Sequence, residues 1–396
     1  MPPVHMTERL RVIFITEWYP TKESPVGCNY IREHAKAVSL YDDVVLLHMA
    51  GHDQRLRNWW EMKREKDESL SEGIETYRIL YRRSSIPKIS YFICIWSVIR
   101  AFKRIVERGF RPDIIHAHVY EAAVPAVIIG KLYRIPVVVS EHSSEFPRKR
   151  LSRLKIFKAK ASFRFAEAVM PVSAFLMSSI KSHGISGRFL LVPNVVDTRL
   201  FYPARYKKSG DGVARLLAVS LLDETHNKGF PVLFKGLAEL RLQREDWHLE
   251  VVGDGPARRG YEKMVQELGI VGKVSFCGMK TKGEVAEHMR NSDIFILPSL
   301  VETFSVVCAE AMVSGVPVLV TRCGGPEGFV DERMGVMVPT GDSQALCNGL
   351  NFMLDNLVHF SSEYISEQSA AMFAPHQVGR RLHKIYGASV RKTHSF

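Results

Sequence analysis

Glu302 and Glu310, with seven residues between them in Glu302-Thr-Phe-Ser-Val-Val-Cys-Ala-Glu310, are the pair whose spacing suggests chemistry most directly. They follow a predicted strand that ends Leu297-Pro298-Ser299, so strand, turn and helix come in that order. A helix beginning near Phe304 leaves backbone N–H groups at its N-terminus, where they suit a diphosphate. Carboxylates accept hydrogen bonds from vicinal hydroxyls, so two of them flanking a phosphate fit a sugar on one side and a ribose on the other. The same spacing also fits a solvated helix with two ordinary glutamates. Elsewhere, His116-Ala117-His118 ends a predicted strand, and strand alternation puts both histidines on one face. Glu141-His142 closes a later strand and is either a second functional pair or a cap or turn.

These residues need a framework to hold them. Short apolar strands at Arg11–Thr16, Val44–His48, Ile114–His118, Val137–Glu141 and Phe189–Val192 alternate with longer amphipathic segments, among them a helix from Asn29 to Leu40. A second set follows at Leu216–Ser220, His248–Val252, Val274–Phe276, Ile294–Leu297 and Val318–Thr321. This alternation predicts βαβ units and parallel sheets. The length of 396 residues favours two domains over one. The pattern pauses at Asp197–Gly212, around Lys207, Lys208, Ser209 and Gly210, which suggests domains of 1–205 and 206–375 with a C-terminal helix, 376–396, returning toward the first. Two doubly wound halves predict a central cleft, with ligands at the carboxyl ends of the strands.

Composition narrows the classes. Up to residue 210 the chain carries 35 Lys+Arg against 20 Asp+Glu, and beyond it 19 against 22, so the +12 divides into +15 and −3. The basic half calls for an anionic partner: a phosphorylated substrate, phospholipid or nucleic acid. No apolar stretch is long enough to cross a bilayer, and no secretory signal is expected in the first residues. The expected location is the cytoplasm, open to peripheral contact at the inner face of the membrane. The six cysteines lack paired metal-ligand spacing and read as free, buried thiols.

Taken together, Glu302 to Glu310, Lys228-Gly229, Val252-Gly253-Asp254-Gly255-Pro256, Phe276-Cys277-Gly278, Gly324-Gly325-Pro326-Glu327 and Pro193-Asn194-Val195-Val196-Asp197 resemble, in order, the landmarks of the family 4 retaining glycosyltransferases. The resemblance implies the GT-B fold, two Rossmann-like domains facing a cleft, and a nucleotide diphosphate sugar as donor without a metal or other cofactor. It places Glu302 on the donor sugar, Glu310 on the ribose, the amides around Phe304, Ser305 and Val306 on the distal phosphate, and Lys228 on the departing diphosphate. Gly253, Asp254 and Gly255 would form a turn beside the base and ribose, Gly27 would allow close approach of the phosphate, and His118 would contact the sugar. Glu141 and His142 would lie on the acceptor side. The family's second diphosphate cation is absent here, its place taken by Leu221, which leaves Arg322 or His226 to assist Lys228.

The segment from Arg148 to Arg164 holds eight basic residues and no acid, with Leu151, Leu154, Phe157, Ala161 and Phe165 at helical spacing. Either this stripe faces an anionic lipid surface or it packs on the core with its charges solvated. The resulting expectation is a metal-independent, retaining hexosyltransferase of polysaccharide or glycolipid synthesis. Its acceptor is a glycan, a lipid-linked sugar or a phosphorylated molecule. The alternatives are a nucleotide-sugar epimerase of the same architecture and a nucleic-acid-binding protein, the latter disfavoured because the basic residues lack interleaved aromatics and glycines.

Overall fold

The computed structural model describes residues 8–22, 24, 27–204 and 212–394. The chain forms two compact units, Met1–Val195 with Pro375–Phe396, and Val196–Ala374. The break falls earlier than the expected 205/206 boundary, and Lys207, Lys208, Ser209 and Gly210 lie outside the described residues.

The first unit runs β1 (Arg11–Thr16), α1 (Asn29–Ser39), β2 (Asp43–His52), β3 (Trp60–Arg64), α2 (Glu68–Ser71), β4 (Glu75–Tyr81) and α3 (Pro87–Glu107). It continues through β5 (Ile114–His118), α4 (Val119–Tyr133), β6 (Val137–Glu141), α5 (Arg153–Phe165), β7 (Ala168–Pro171) and α6 (Ala174–Ser182). The seven strands order β3-β4-β2-β1-β5-β6-β7, parallel except for the β3–β4 pair. Register sets the carboxyl ends abreast: Thr16 pairs with His48 on one side and His118 on the other, and His118 with Ser140. All of β1, β5 and β6 beyond Arg11 is buried, as expected of strands covered on both faces.

The second unit contains β8 (Ala214–Val219), α7 (Phe230–Arg241), β9 (Trp247–Val252), α8 (Arg258–Glu267), β10 (Val274–Gly278), α9 (Lys282–Arg290), β11 (Ile294–Leu297), α10 (Val306–Val313), β12 (Val318–Thr321), β13 (Gly335–Val338), α11 (Ser343–Asp355) and α12 (Ser362–Phe373). Its six strands are wholly parallel, in the order β10-β9-β8-β11-β12-β13. In this sheet the order reverses at β8, which marks a topological switch between β8 and β11. The core is continuous around Trp247, Phe230, Phe234, Leu249 and Leu319.

α13 (Pro375–His394) belongs to the first unit and packs on α1. Val378, Leu382 and Tyr386 are buried in the first core, and the Tyr386 hydroxyl lies 2.7 Å from His116 Nδ1.

One strand assignment needs correction. Phe189–Val192 forms no strand: it runs beside β7 through single hydrogen bonds, Leu190 N to Val169 O and Val192 N to Pro171 O. β7, whose four residues are too short for a clear period-2 signal, occupies the sheet position instead. The pair β3–β4 also lacks an advance signal, because Trp60–Arg64 and Glu75–Tyr81 are half-exposed and mix charge with aromatics.

Candidate functional site

In the second unit the predicted donor residues converge at the carboxyl ends of β8 and β11. Lys228 Nζ donates to Glu302 Oε1 at 2.8 Å, and Ser299 Oγ donates to the same oxygen at 2.8 Å. Gly229 makes this possible. Its φ is 70°, and a Cβ there would collide with the Pro298 carbonyl, so only glycine brings the Lys228 turn onto the strand end. Glu302 is fixed by its backbone as well, its N–H donating to Cys323 O and its carbonyl accepting from Gly325 N, both at 2.8 Å.

The turn then enters α10 through Ser305, which sits at the N-cap in the left-handed region with φ 71°. A non-glycine residue held there is uncommon and marks a position the surroundings enforce. Phe304 supplies the enforcement, being buried against Phe329 and Phe373. The first helical bond is Ala309 N to Ser305 O, so the amides of the preceding turn, including Val306, belong to the helix end that attracts anions. Ser305 Oγ is buried with no hydrogen-bond partner, which adds an unsatisfied hydroxyl to that cradle. Glu310 is buried on the same helix.

Gly253 (φ 132°) and Gly255 close the turn after β9, with Gly253 N donating to Gly278 O and Leu222 N to Asp254 O. The Asp254 carboxylate accepts from Gly255 N and Arg258 Nη1, bonds that hold it below the usual carboxylate range. Of the cations considered as helpers, His226 Nδ1 lies 3.0 Å from the Tyr261 hydroxyl, and Arg322 is exposed.

In the first unit the two histidines of β5 have different environments. His116 has both ring nitrogens occupied, by Tyr386 Oη and by Ser140 Oγ. His118 stacks on His116 at 4.3 Å and lies 3.2 Å from His142 Nε2 through Nδ1, while its Nε2 has no partner. Burial and the neighbouring histidines hold the pKa of His118 well below the ordinary value, so the ring is neutral. Val119, just beyond it, is a β-branched residue at φ 65°, a strained backbone at the strand end. Gly27 precedes α1, its N–H bonded to Ser24 O.

His142 completes a buried triangle with His118 and His34, ring centres 5.4 to 5.7 Å apart. Glu141 works on the backbone: its oxygens accept from His142 N, Ser143 N and, at the start of α4, Tyr120 N. Burial pushes the Glu141 carboxyl up to about 8. Among the described residues the structure also assembles two groups that could hold a metal ion, His34 with His118 and His142, and Glu250 with Cys277 and His288, which no spacing in the sequence suggests. All six cysteines are free; Cys28 and Cys277 are only partly buried.

A second cluster was not expected. Glu17 after β1, Glu121 in the first turn of α4, and Tyr120, Glu145, Lys155 and Lys158 gather beyond the carboxyl edge of the first sheet. Tyr120 Oη donates to Glu145 Oε2 at 2.7 Å and Lys155 Nζ to Glu145 Oε1 at 2.5 Å. Burial raises Glu17 and brings Glu121 to about 7. Glu121 stands three residues after His118, at the end of a parallel strand where ligands bind, and that position was the available signal.

The basic segment divides. Arg148, Lys149 and Arg150 lie in a hydrogen-bonded turn, and α5 begins only at Arg153, capped by Ser152 Oγ, which accepts from Lys155 N. The helix packs through Ala159, Ser162 and Phe163. The Leu151–Phe165 stripe does not pack inward as a unit: Leu154, Phe157 and Phe165 are 63%, 67% and 50% exposed.

Two Rossmann-like units, each built on a mainly parallel sheet, make this an α/β protein of the GT-B class. The Glycosyltransferase Family 4 profile matches residues 43–200, and that of Glycosyl transferases group 1 matches residues 214–356. The chain therefore belongs to the family 4, group 1 glycosyltransferases. It is 25% identical over 273 residues to a glycogen synthase of Mycobacterium tuberculosis, covering 66% of this chain and 65% of that protein. It is 29% identical over 253 residues to a GDP-mannose-dependent alpha-(1-6)-phosphatidylinositol monomannoside mannosyltransferase of Mycolicibacterium smegmatis, covering 59% of this chain and 66% of that one. The match thus spans slightly less than two thirds of these curated relatives. Among solved structures, Anabaena HepE in complex with UDP and glucose superposes with a TM-score of 0.74 at 18% identity, covering 96% of this chain and all of that one.

Burial lowers the His34 pKa to about 4. The unfolded chain then binds more protons than the folded one between about pH 4 and 6.5, so this histidine contributes stability above 6.5 that is lost as the pH falls toward 4. At pH 5 the loss from His34 alone is about 2 kcal/mol. Glu121 and Glu141, with raised values, act in the opposite direction, but they are common to wild type and variant. Between pH 7 and pH 5, wild type should lose about 2 kcal/mol more stability than His34→Gln in urea unfolding. Equal losses would show that His34 is not held neutral.

Proposed function

We propose that the chain transfers a hexose or related sugar from a nucleotide diphosphate sugar to a glycan, lipid-linked or phosphorylated acceptor, with retention of configuration and without a metal. The observation that carries this reading is the Lys228–Glu302 pair set at 2.8 Å beside the N-terminus of α10. An ammonium, helix amides and the Ser305 hydroxyl can together stabilise a departing diphosphate, and a fixed carboxylate beside them can accept bonds from sugar hydroxyls.

In this reading Glu302 orients the sugar, Glu310 binds the ribose, and Phe304, Ser305 and Val306 hold the distal phosphate. Gly253, Asp254 and Gly255 border the base and ribose. Lys228 gains strength as negative charge develops on the leaving group. The acceptor hydroxyl attacks on the face the diphosphate leaves, and a phosphate oxygen takes its proton. His118, neutral and with Nε2 unpartnered, contacts the sugar; Gly27 borders the phosphate, and Glu141 and His142 shape the acceptor side. Retention and the absence of a covalent intermediate rest on the family likeness. Names of the relatives, which include a GDP-mannose-dependent mannosyltransferase and a glycogen synthase, support sugar transfer over the epimerase and nucleic-acid readings.

Lys228→Ala should lower turnover by about 10² to 10³-fold, the usual cost of one preorganised leaving-group contact. Glu302→Gln should cost about 10-fold to 100-fold, the worth of a charged hydrogen bond. Both variants should remain folded: the Lys228 side chain is 32% exposed, and Glu302→Gln keeps an oxygen that can accept from Lys228 and Ser299. Wild-type turnover in either variant removes that residue from the mechanism. Activity should also survive EDTA; loss that Mg²⁺ or Mn²⁺ restores would replace the metal-free mechanism.

Peripheral contact with an anionic membrane, supported by the exposed Lys149, Arg153, Lys160 and Arg164, belongs to the same reading. Changing these four to Gln should release the protein from phosphatidylglycerol vesicles at physiological salt, each charge adding about 1 kcal/mol to such contact. Unchanged co-sedimentation would rule it out.

A further inference from the structure

An apolar groove of about 390 Å³ opens between α3, α4 and α5, lined by Tyr91, Val127, Lys131, Leu154, Phe157 and Phe165 among others. Its volume is that of a small-ligand site. Leu154, Phe157 and Phe165 are all at least half exposed, although α5 buries Phe163 on its other side. From Leu154 to Phe165 the helix advances about 16 Å, which suits an extended hydrocarbon chain better than a single ring.

Two cations complete the groove. Lys158 Nζ sits 3.5 Å from the Tyr91 ring centre, and Lys131 Nζ sits 3.2 Å from that of Phe165. Neither ammonium has a carboxylate within ion-pair distance among the described residues. Lys158 is also the link to the polar cluster: it is felt electrostatically by Glu17 and Glu121, the buried carboxyls past β1 and β5. An apolar trough with two ammoniums at its rim, one of them also interacting with the carboxyls past β1 and β5, is complementary to an anionic amphiphile.

We propose that the acceptor is a phosphorylated lipid whose hydrocarbon chain lies in the α3–α4–α5 groove, with its phosphate held by Lys158. This rests on the reading of the chain as a glycosyltransferase and names the class of acceptor it takes.

Titration calorimetry of the full chain with dodecyl phosphate below its micellar concentration tests the assignment, with dodecyl maltoside and inorganic phosphate as separate arms. Dodecyl phosphate should bind more tightly than either. Leu154→Asp and Phe157→Asp, at exposed positions that leave the core intact, should each weaken it by about tenfold or more. Lys158→Gln should weaken dodecyl phosphate while sparing dodecyl maltoside. Dodecyl phosphate binding no tighter than inorganic phosphate, or unaffected by both aspartate variants, would overturn the proposal. So would self-association of the chain abolished by those variants with no lipid bound, which assigns the groove to a second copy. Thermal shifts with UDP-, GDP- and ADP-sugars, run in parallel, report the donor side separately. A donor that still binds when dodecyl phosphate does not leaves sugar transfer standing and removes only the lipid acceptor.

Discussion

Parallel strands cannot be joined by a tight turn, and this constraint underlies the rest of the molecule. Each strand must return over a face of its sheet, usually through a helix, so the loops leaving the carboxyl ends collect along one edge. In the first unit the register sets His48, Thr16, His118 and Ser140 in one row at that edge. In the second, the Lys228 turn after β8 meets the Ser299–Glu302 turn after β11 because β8 and β11 are neighbours in the sheet. Residues 74 positions apart thereby form one ion pair.

The two units prepare their edges by different physical means. The second uses backbone geometry: Gly229 admits the close approach, Phe304 is wedged into the core, and Ser305 is held left-handed at the start of α10. Its Lys228–Glu302 pair keeps part of the lysine side chain in solvent, open to a ligand. The first unit uses desolvation. Burial lowers the pKa of His34, His116, His118 and His142 and drives the carboxyls at 121 and 141 up to about 7 and about 8, so one buried region disfavours charge of both signs. A neutral imidazole with an unpartnered nitrogen, as at His118, can donate to or accept from a hydroxyl without placing a buried charge there.

α13 ties the chain's end into this arrangement. Tyr386 occupies the Nδ1 side of His116, Ser140 the Nε2 side, and the His116 ring in turn supports His118 by stacking. The orientation of the strand-end histidine therefore depends on a residue 268 positions further along the chain (386 − 118). Contacts of this kind couple the integrity of the edge to the docking of a terminal helix.

The sequence by itself determined the two sets of parallel strands, the bounds of β1, β5 and β6, the helix at residue 29, the helix opening after Phe304 and the family landmarks, because fully buried strands and glycine-marked turns are written in local pattern. It did not determine β7, whose four residues carry too little periodicity, or which of His116 and His118 keeps an open nitrogen. Nor did it decide which face of α5 packs: the stripe at 154, 157 and 165 has the right spacing for a core face, yet Ala159, Ser162 and Phe163 lie inside. Periodicity fixes that a helix has faces, whereas the neighbouring helices decide which one is covered. The same holds for the polar cluster of Glu17, Glu121, Glu145, Lys155 and Lys158, scattered over three strand ends and a helix. Burial raises the pKa of Glu17 and Glu121, and proximity across sequence distance joins Tyr120 and Lys155 to Glu145; only the tertiary structure supplies both.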